Sequence, residues 1–278
     1  METHVIVGNI SRIQNLLKSV EEAGIKVKGL VLEPLASSEA VLTKEEMQSG
    51  IVLADIGGGS TDVASFKDGS IWQTTVLAVA GNHITNDIAT CLDTPFRSAE
   101  NLKVQYGHAL PEAVDPNEEL EIESFSDRNV RRIKRRELCE IIRARVQETL
   151  LIIGQRIKQG GGLNAFPPYG LVITGGTASL PGIAELAQKI LHTSVRVGIP
   201  MGIPGLDSSL SNPAFATSMG ILLWKLTHED AEQKMDQMGF RNYFNQFNEQ
   251  VLSRMKQPQT ISPMNLKKST KPQVIRAT

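Results

Sequence analysis

The first 42 residues alternate between short apolar runs and apolar positions spaced three and four apart. Residues 3–7 and 27–32 have the first pattern, which predicts β-strands. Residues 11–23 and 36–42 have the second, which predicts amphipathic helices. Gly24 follows the first helical stripe, where a glycine commonly ends a helix. This repeated strand–helix order is typical of an α/β sheet.

A glycine-rich loop at residues 55–62 joins two of three closely spaced strand-like runs. The runs cover residues 51–54, 61–67 and 71–78, and Asp68-Gly69 is a hairpin signal between the last two. The loop is therefore predicted to lie within an antiparallel β-meander. Rossmann and Walker phosphate loops need a helix directly after the glycines, so this placement excludes both.

The rest of the chain continues in helices and strands up to about residue 228. Helices are predicted over residues 84–92, 98–106, 135–159 and 211–224 and in a stretch ending near 191, and strands near 119–125 and over 169–173 and 195–198. Beyond this part, Pro, Gln, Ser and Lys become frequent, and we expect residues 256–278 to be disordered.

Composition narrows the class of protein only slightly. The 278 residues are 41% hydrophobic and 21% charged, with a net charge of −1, as in ordinary globular proteins. The two cysteines and five histidines show no metal-ligand spacing, so we expect no zinc site. No signal peptide and no apolar run long enough for a membrane span is apparent, and no nucleic-acid partner is expected.

The loop at residues 55–62 has the chemistry of a phosphate site. Its three glycines would let backbone amides approach a phosphate chain closely. Asp55 and Asp62 would lie near the same phosphates, where carboxylates are suited to the Mg²⁺ that accompanies a nucleotide. A plain glycine-rich hairpin is the alternative.

Three further motifs are weaker candidates for a ligand site when each is considered alone. Gly175, Gly176 and Thr177 lie between a strand and a helix, where they could face a nucleoside or form an ordinary turn. Glu100 and Lys103 lie on the same face of one helix, where they could contact a ligand or form a solvated ion pair. The last candidate is Glu33, which precedes a proline and could orient an attacking water.

Together, these motifs resemble the bacterial cell-division protein family FtsA, a branch of the actin superfamily. The resemblance covers roughly residues 1–225 and is carried by six segments, which are residues 31–38, 53–62, 81–89, 99–107, 174–182 and 212–217. The string Leu-Glu-Pro-Leu-Ala-Ser-Ser and the run after Gly81 are the parts specific to FtsA, whereas the phosphate loop is general to actin-like ATPases.

The resemblance implies an α/β, actin-like (ribonuclease H-like) ATPase fold, of which this chain is the C-terminal two-thirds, with a mixed sheet and helices on both faces. It implies ATP and Mg²⁺ as cofactors. The implied nucleotide-binding residues are Asp55, Gly57, Gly58, Gly59, Ser60, Thr61, Asp62, Gly81, Glu100, Lys103, Gly175, Gly176 and Thr177. Asp55 and Asp62 would serve Mg²⁺, directly or through water, and Glu33 would be the weak catalytic candidate.

The resemblance also implies a domain plan. Residues 1–48 would complete the first lobe (subdomains 1C and 1A), residues 49–81 and 166–228 would form subdomain 2A, and residues 82–165 subdomain 2B. Residues 229–278 would be a mostly disordered tail with an amphipathic helix over 240–256. The family's first phosphate loop is missing from this sequence, so we expect a fragment or a split protein with at most weak ATPase activity. Ala80 stands where the family usually has a glycine.

Family members form filaments and tether FtsZ to the cytoplasmic membrane at the division site, where they recruit later divisome proteins. In this chain, the resemblance points to Arg131, Arg132, Arg135 and Arg136 as contacts for the acidic C-terminal peptide of FtsZ. A tail helix would contact an anionic membrane through Phe240, Phe244, Phe247 and Val251. For these two regions, a solvated helix start and packing on the body are the respective alternatives.

Other functions remain open at this point. A pilus-assembly actin relative shares the phosphate loop but lacks the Leu-Glu-Pro-Leu-Ala-Ser-Ser string. A sugar kinase or chaperone ATPase of the same superfold would need a sugar pocket with a catalytic Asp, or a substrate-binding domain. Nucleic-acid binding would rest only on the basic run at residues 128–136.

Overall fold

The computed structural model describes residues 8–124, 130–159, 167, 169–201 and 210–227. The chain divides into two compact units, Met1–Leu30 with Leu226–Thr278, and Val31–Lys225. In the first unit, α1 (Ile10–Glu22) begins at Asn9, whose side-chain oxygen accepts a hydrogen bond from the amide of Arg12 at 3.2 Å. The helix predicted over residues 11–23 is confirmed, while the strand predicted over 3–7 lies outside the described residues.

The second unit contains the sheets and the other helices. The helices are α2 (Glu33–Val41), α3 (Lys44–Ser49), α4 (Gly81–Cys91), α5 (Phe96–Tyr106), α6 (Arg135–Gln159), α7 (Ile183–Leu191) and α8 (Ala216–Thr227), the last ending just beyond the unit. The strands are β1 (Ile51–Ile56), β2 (Thr61–Lys67), β3 (Ser70–Leu77), β4 (Glu119–Glu123), β5 (Val130–Lys134), β6 (Leu171–Thr174) and β7 (Val195–Val197).

Five of these strands form a mixed sheet in the order β3-β2-β1-β6-β7. The first three are antiparallel, and β1, β6 and β7 run parallel. The predicted β-meander around the glycine loop is therefore confirmed. The parallel half brings the carboxyl ends of β1 and β6 to one sheet edge, where Asp55 pairs with Thr174.

Helices cover both faces of the five-stranded sheet, as predicted. Alternate residues of β1 explain this arrangement, because Val52, Ala54 and Ile56 pack into one buried cluster with α4, α6 and α7. Ile51 and Leu53 face the opposite cluster, which contains residues of α2 and α8. All six residues of β1 are buried, as expected for a central strand.

Two predictions in the first half of the chain are wrong. Residues 27–32 form no strand, since none of the described strands pairs with them and an apolar run without a partner cannot form a ladder. The helix predicted at residues 36–42 instead begins at Glu33, because Pro34 is well tolerated in a first helical turn. Ser37 and Ser38 are therefore inside α2, where both are buried.

The described part of the basic run differs from the solvated helix start that was the alternative to a partner surface. Its residues Val130–Lys134 form β5, which pairs with the acidic strand β4 in a separate two-stranded sheet. Cross-strand pairing of opposite charges stabilises such a hairpin. α6 begins only at Arg135 and matches the predicted helix over 135–159.

Candidate functional site

The glycine loop is a tight turn between β1 and β2. The amide of Gly57 donates to the carbonyl oxygen of Ser60 at 3.0 Å, and Gly58 and Gly59 are exposed at the tip. Asp55 and Asp62 are directly paired across the two strands, so their side chains lie on the same face of the sheet. Both carboxylates are buried at the base of the turn.

A cavity of about 410 Å³ lies beside this turn, within the range of about 300–1,000 Å³ common for small-molecule sites. The predicted site residues that line it are Gly57, Gly58, Gly81, Glu100, Lys103, Gly176 and Thr177. The loop, the α4–α5 pair and the turn after β6 therefore meet around one space. The remaining predicted nucleotide contacts lie outside its lining; they are Asp55, Gly59, Ser60, Thr61, Asp62 and Gly175.

Hydrogen bonds to the glycine loop close one side of the cavity. The carbonyl oxygen of Gly57 accepts from the Thr177 hydroxyl at 2.9 Å and from the Gly81 amide at 3.0 Å. The amide of Asn82 donates to the Gly58 carbonyl at 2.8 Å. The amides of Gly81 and Asn82, at the start of α4, are thus already engaged by the loop.

Glycine at position 81 is required by this close packing. A Cβ there would lie 2.6 Å from the Thr177 hydroxyl oxygen and 3.3 Å from the Gly57 carbonyl oxygen. Gly59 has the opposite environment, since a Cβ added at this position would have no neighbouring atom within 4 Å. The two glycines therefore have different reasons to be present, steric at position 81 and exposure of the backbone at position 59.

Lys103 and Glu100 of α5 reach α4 across the cavity wall. The Lys103 ammonium donates to Glu100 at 2.7 Å, to the Thr85 hydroxyl at 2.8 Å and to the Gly81 carbonyl at 3.2 Å. Burial opposes ionisation of Glu100, but hydrogen bonds from Lys103 and Thr85 outweigh it and hold its pKa below the ordinary value. The ion pair is thus partly buried, with the Lys103 side chain 14% exposed and the Glu100 side chain 40% exposed.

The carboxylate of Asp55 is fixed by two hydroxyl groups. Ser37 of α2 donates to Asp55 Oδ2 at 2.6 Å, and Thr217 of α8 donates to the same oxygen at 3.0 Å. Thr61 of the loop does not take part, because its hydroxyl donates to the Val79 carbonyl at 2.6 Å and is fully buried.

Three carboxylates gather at the base of the loop. Burial, followed by the charges of Glu33 and Asp55, raises the pKa of Asp62 to about 7. Desolvation and the charge of Asp55 also raise the pKa of Glu33. Glu33 is the exposed member of the three carboxylates. Carboxylates that repel one another in this way favour a cation among them.

The donor set fits Mg²⁺ better than a metal held by protein alone. Within the described ranges, no group of three or more His, Cys, Asp or Glu residues has the arrangement of a metal cage. Mg²⁺ commonly keeps several waters and binds one or two carboxylates together with substrate phosphates. Asp55 and Asp62, beside an exposed glycine turn, match that requirement.

The predicted partner residues lie on or next to β5. Arg132 pairs with Glu121 at 3.0 Å and Arg135 with Glu118 at 2.8 Å, while Arg131 donates to the Leu92 carbonyl at 2.6 Å. Arg136 faces Glu140 at 3.6 Å. The basic surface is thus partly neutralised by its own neighbours. Residues 240–256, which include the predicted membrane contacts Phe240, Phe244, Phe247 and Val251, lie outside the described part of the chain.

Sequence reasoning missed part of the cavity wall and both hydroxyl groups on Asp55. The unpredicted lining residues are Asn82, Ile84, Val104, Ser179, Leu180, Pro181, Asn212 and Ala214. Ser37 and Thr217 lie in segments that carry the family resemblance, but no role at the site was predicted for them. Their separation from Asp55, by 18 and 162 positions, leaves no local signal.

The fold is shared with solved actin-like proteins. The crystal structure of MreB5 of Spiroplasma citri bound to ADP matches with a TM-score of 0.64 at 16% identity, over 82% of this chain and 68% of that one. The MamK double helical filament matches with a TM-score of 0.57 at 18% identity, over 77% and 64%. The chain therefore shares the actin-like fold of these proteins, with its mixed sheet and helices.

The family is more specific than the fold. The model of the family described as "Cell division protein FtsA" matches residues 52–220. FtsA of Pseudomonas aeruginosa is 35% identical over 255 residues, which are 92% of this chain and 61% of the relative. The chain belongs to the FtsA family of cell-division proteins. It spans about three fifths of the length of this relative.

Among the residues that the structure describes, no helix is both long enough and apolar enough to cross a bilayer.

Proposed function

We propose that the chain binds ATP with Mg²⁺ in the cavity beside the glycine loop. The observation that carries the proposal is that the β1–β2 turn, the α4–α5 helix pair and the turn after β6 all line one cavity of about 410 Å³. The match to an ADP-bound actin-like structure supports it, since that protein shares the fold.

The β1–β2 turn would hold the phosphates. The exposed backbone of Gly58 and Gly59 offers amides that no Cβ shields, and Gly57 and Ser60 hold the shape of the turn. Asp55 and Asp62 would orient Mg²⁺, directly or through water. Mg²⁺ would neutralise phosphate charge that these acids would otherwise repel.

The opposite side of the cavity would hold the nucleoside. Glu100 can accept hydrogen bonds from ribose hydroxyls, and Lys103 is anchored beside it. Gly176 and Thr177 would lie against the nucleoside, with Gly175 turning the chain behind them. Glu33 would orient water for a hydrolysis that we expect to be weak.

Isothermal titration calorimetry of the full chain with ATP and Mg²⁺ measures the binding affinity and tests this proposal. Lys103→Ala should weaken binding at least about tenfold, because one charge-assisted contact contributes roughly 1.5–3 kcal/mol. Lys189→Ala is the matched control, since this exposed lysine pairs with Glu112 away from the cavity lining. No measurable binding by the wild-type chain, or equal effects of the two substitutions, would refute the proposal.

We propose, on the family relationship, that the protein links FtsZ to the cytoplasmic face of the membrane at the division site. Arg131, Arg132, Arg135 and Arg136 would meet the acidic FtsZ peptide. Their existing ion pairs imply that a peptide competes with Glu118 and Glu121, so its binding should weaken steeply with salt.

Charge reversal of the more exposed pair tests this contact. Arg132→Glu combined with Arg136→Glu should lower affinity for an FtsZ C-terminal peptide at least about tenfold, because cross-interface like charges cost several kcal/mol. Lys18→Glu with Lys189→Glu changes the net charge equally at other exposed sites. Equal peptide affinity for both double variants would contradict the assignment.

The family relationship also supports self-association into filaments, recruitment of later divisome proteins and attachment through the tail. The tail proposal uses Phe240, Phe244, Phe247 and Val251 as the apolar contacts. Replacing all four by Ser should abolish sedimentation with anionic vesicles, whereas replacing them by Leu should retain it. Vesicle binding unchanged by the Ser substitutions would exclude this attachment.

A further inference from the structure

Side chains from three separate elements meet at one carboxylate oxygen. Ser37 on α2 and Thr217 at the start of α8 both donate to Asp55 Oδ2, at 2.6 and 3.0 Å. The two hydroxyl oxygens are 3.0 Å apart, so they form a closed triangle with the carboxylate. In the hydrogen bonds of the described residues, Oδ2 takes both hydroxyls and Oδ1 takes none.

Backbone packing keeps this triangle in place. Gly220 brings α8 against α2 so closely that a Cβ would collide with the Ala36 carbonyl oxygen and lie 3.1 Å from the Ser37 amide. On the other side, Gly175 has φ +86° and packs against Asp55 itself, where a Cβ would collide with Oδ1 and lie 2.6 Å from the Ile56 carbonyl oxygen. Ser37 is fully buried and Asp55 is 5% exposed, so water cannot readily replace the hydroxyls.

We propose that Ser37 and Thr217 are positioning residues that orient Asp55 toward the Mg²⁺ of a bound nucleotide. This inference rests on the proposed nucleotide function of the cavity. Two donors on Oδ2 stabilise the ionised carboxylate and restrict its rotation. Oδ1, which lies beside Gly175 and accepts no hydrogen bond among the described residues, would then be the oxygen that meets the cation or its water shell. Removal of a hydrogen-bond partner that orients a metal ligand typically lowers metal affinity by about 10–100-fold.

Neighbouring residues offer closely matched comparisons. Ser38 is also buried in α2, but its hydroxyl donates to the Leu35 carbonyl at 2.8 Å and not to Asp55. Ser37→Ala and Ser38→Ala therefore each remove one buried hydroxyl from the same helix. At the second position, Thr217→Val removes the hydroxyl and Thr217→Ser keeps it.

The experiment measures ATP affinity of the full chain with saturating Mg²⁺ and with EDTA, together with thermal unfolding. We expect Ser37→Ala and Thr217→Val to reduce the Mg²⁺-dependent gain in affinity about tenfold or more, with a smaller effect in EDTA. Thr217→Ser and Ser38→Ala should retain the wild-type gain within about twofold. Because both hydroxyls act on one oxygen, the double variant should lose less than the product of the single effects.

A purely structural role gives a different pattern. Ser37→Ala would then match Ser38→Ala in Mg²⁺ dependence, or Thr217→Val would match Thr217→Ser, and either result would overturn the positioning role alone. A wild-type chain that binds ATP equally well with Mg²⁺ and with EDTA would also overturn it while leaving nucleotide binding intact. A wild-type chain that binds no ATP would overturn both proposals.

Discussion

Gly81 is the residue whose replacement should most directly disturb the cavity wall. A Cβ at this position would lie 2.6 Å from the Thr177 hydroxyl oxygen and would separate α4 from the turn after β6. Gly81→Ala should therefore lower the free energy of unfolding by about 1–3 kcal/mol, the usual cost of overpacking. It should also weaken ATP binding, and thermal unfolding with calorimetry would measure both effects.

Gly59→Ala is the matched control, because Gly59 is in the glycine loop that Gly81 contacts. Space is open around this position and its φ lies outside the left-handed range, so stability should stay the same or rise slightly. Equal destabilisation by both alanine substitutions would show that the hydrogen bonds of Gly81 and Thr177 to the Gly57 carbonyl do not hold the site together.

Asp62 should make the stability of the metal-free protein depend on pH. Its pKa is raised in the folded protein to about 7, above that of an unfolded Asp, so folding favours the protonated form. The contribution of Asp62 is fully present below about pH 4 and is lost as pH rises to about 7. Asp62→Asn should remove this loss and raise stability at pH 8 by about 1–2 kcal/mol after allowance for solvent screening.

Denaturant unfolding in EDTA at pH 4, 6 and 8 measures this effect. Asp68→Asn, at an exposed hairpin position, provides the control for loss of one acidic residue. A difference between Asp62→Asn and wild type that is constant with pH would contradict a raised pKa at Asp62.

At the scale of elements, the contact between α2 and α8 depends on Gly220. A Cβ there would collide with the Ala36 carbonyl, so Gly220→Ala must push the two helices apart. We expect a loss of about 3 kcal/mol in unfolding free energy, toward the upper end for overpacking because the clash is with backbone. Ser218→Ala, at an exposed position on the same helix, should change stability by less than about 0.5 kcal/mol. Equal unfolding midpoints for the two variants would exclude this close approach.

Local patterns predicted the elements that have clear limits in the sequence. β2 and α6 were predicted to the residue and β1 nearly so, because the two strands are short runs on either side of a glycine loop and the apolar positions of α6 repeat at helical spacing. The short α3 was missed although Thr43 and Glu46 form a capping box, a signal present in the sequence.

Partners that are distant in sequence account for the remaining errors. Residues 27–32 resemble a strand locally but have no strand beside them among those described. β5 resembles the start of a basic helix when it is separated from its acidic partner strand β4. Likewise, the glycine loop was predictable from its own residues, whereas the contacts of Ser37 and Thr217 with Asp55 depend on how α2 and α8 pack.

At the scale of the whole molecule, the sheet and its helices place the chain in the actin-like class, and the family match extends through residues 52–220. The family relationship motivates the proposed division role, while the geometry around the cavity motivates the proposed nucleotide. Because the chain spans about three fifths of the P. aeruginosa relative, partner binding has to be measured on this chain itself.

The most direct measurement is a crystal structure of the full chain with Mg²⁺ and a non-hydrolysable ATP analogue. We predict density for the analogue in the cavity, with phosphates against the backbone of Gly58 and Gly59, the ribose beside Glu100, and Mg²⁺ on the side of Asp55 and Asp62. Density for the analogue at another surface, or an empty cavity at analogue concentrations that saturate binding in solution, would contradict the account.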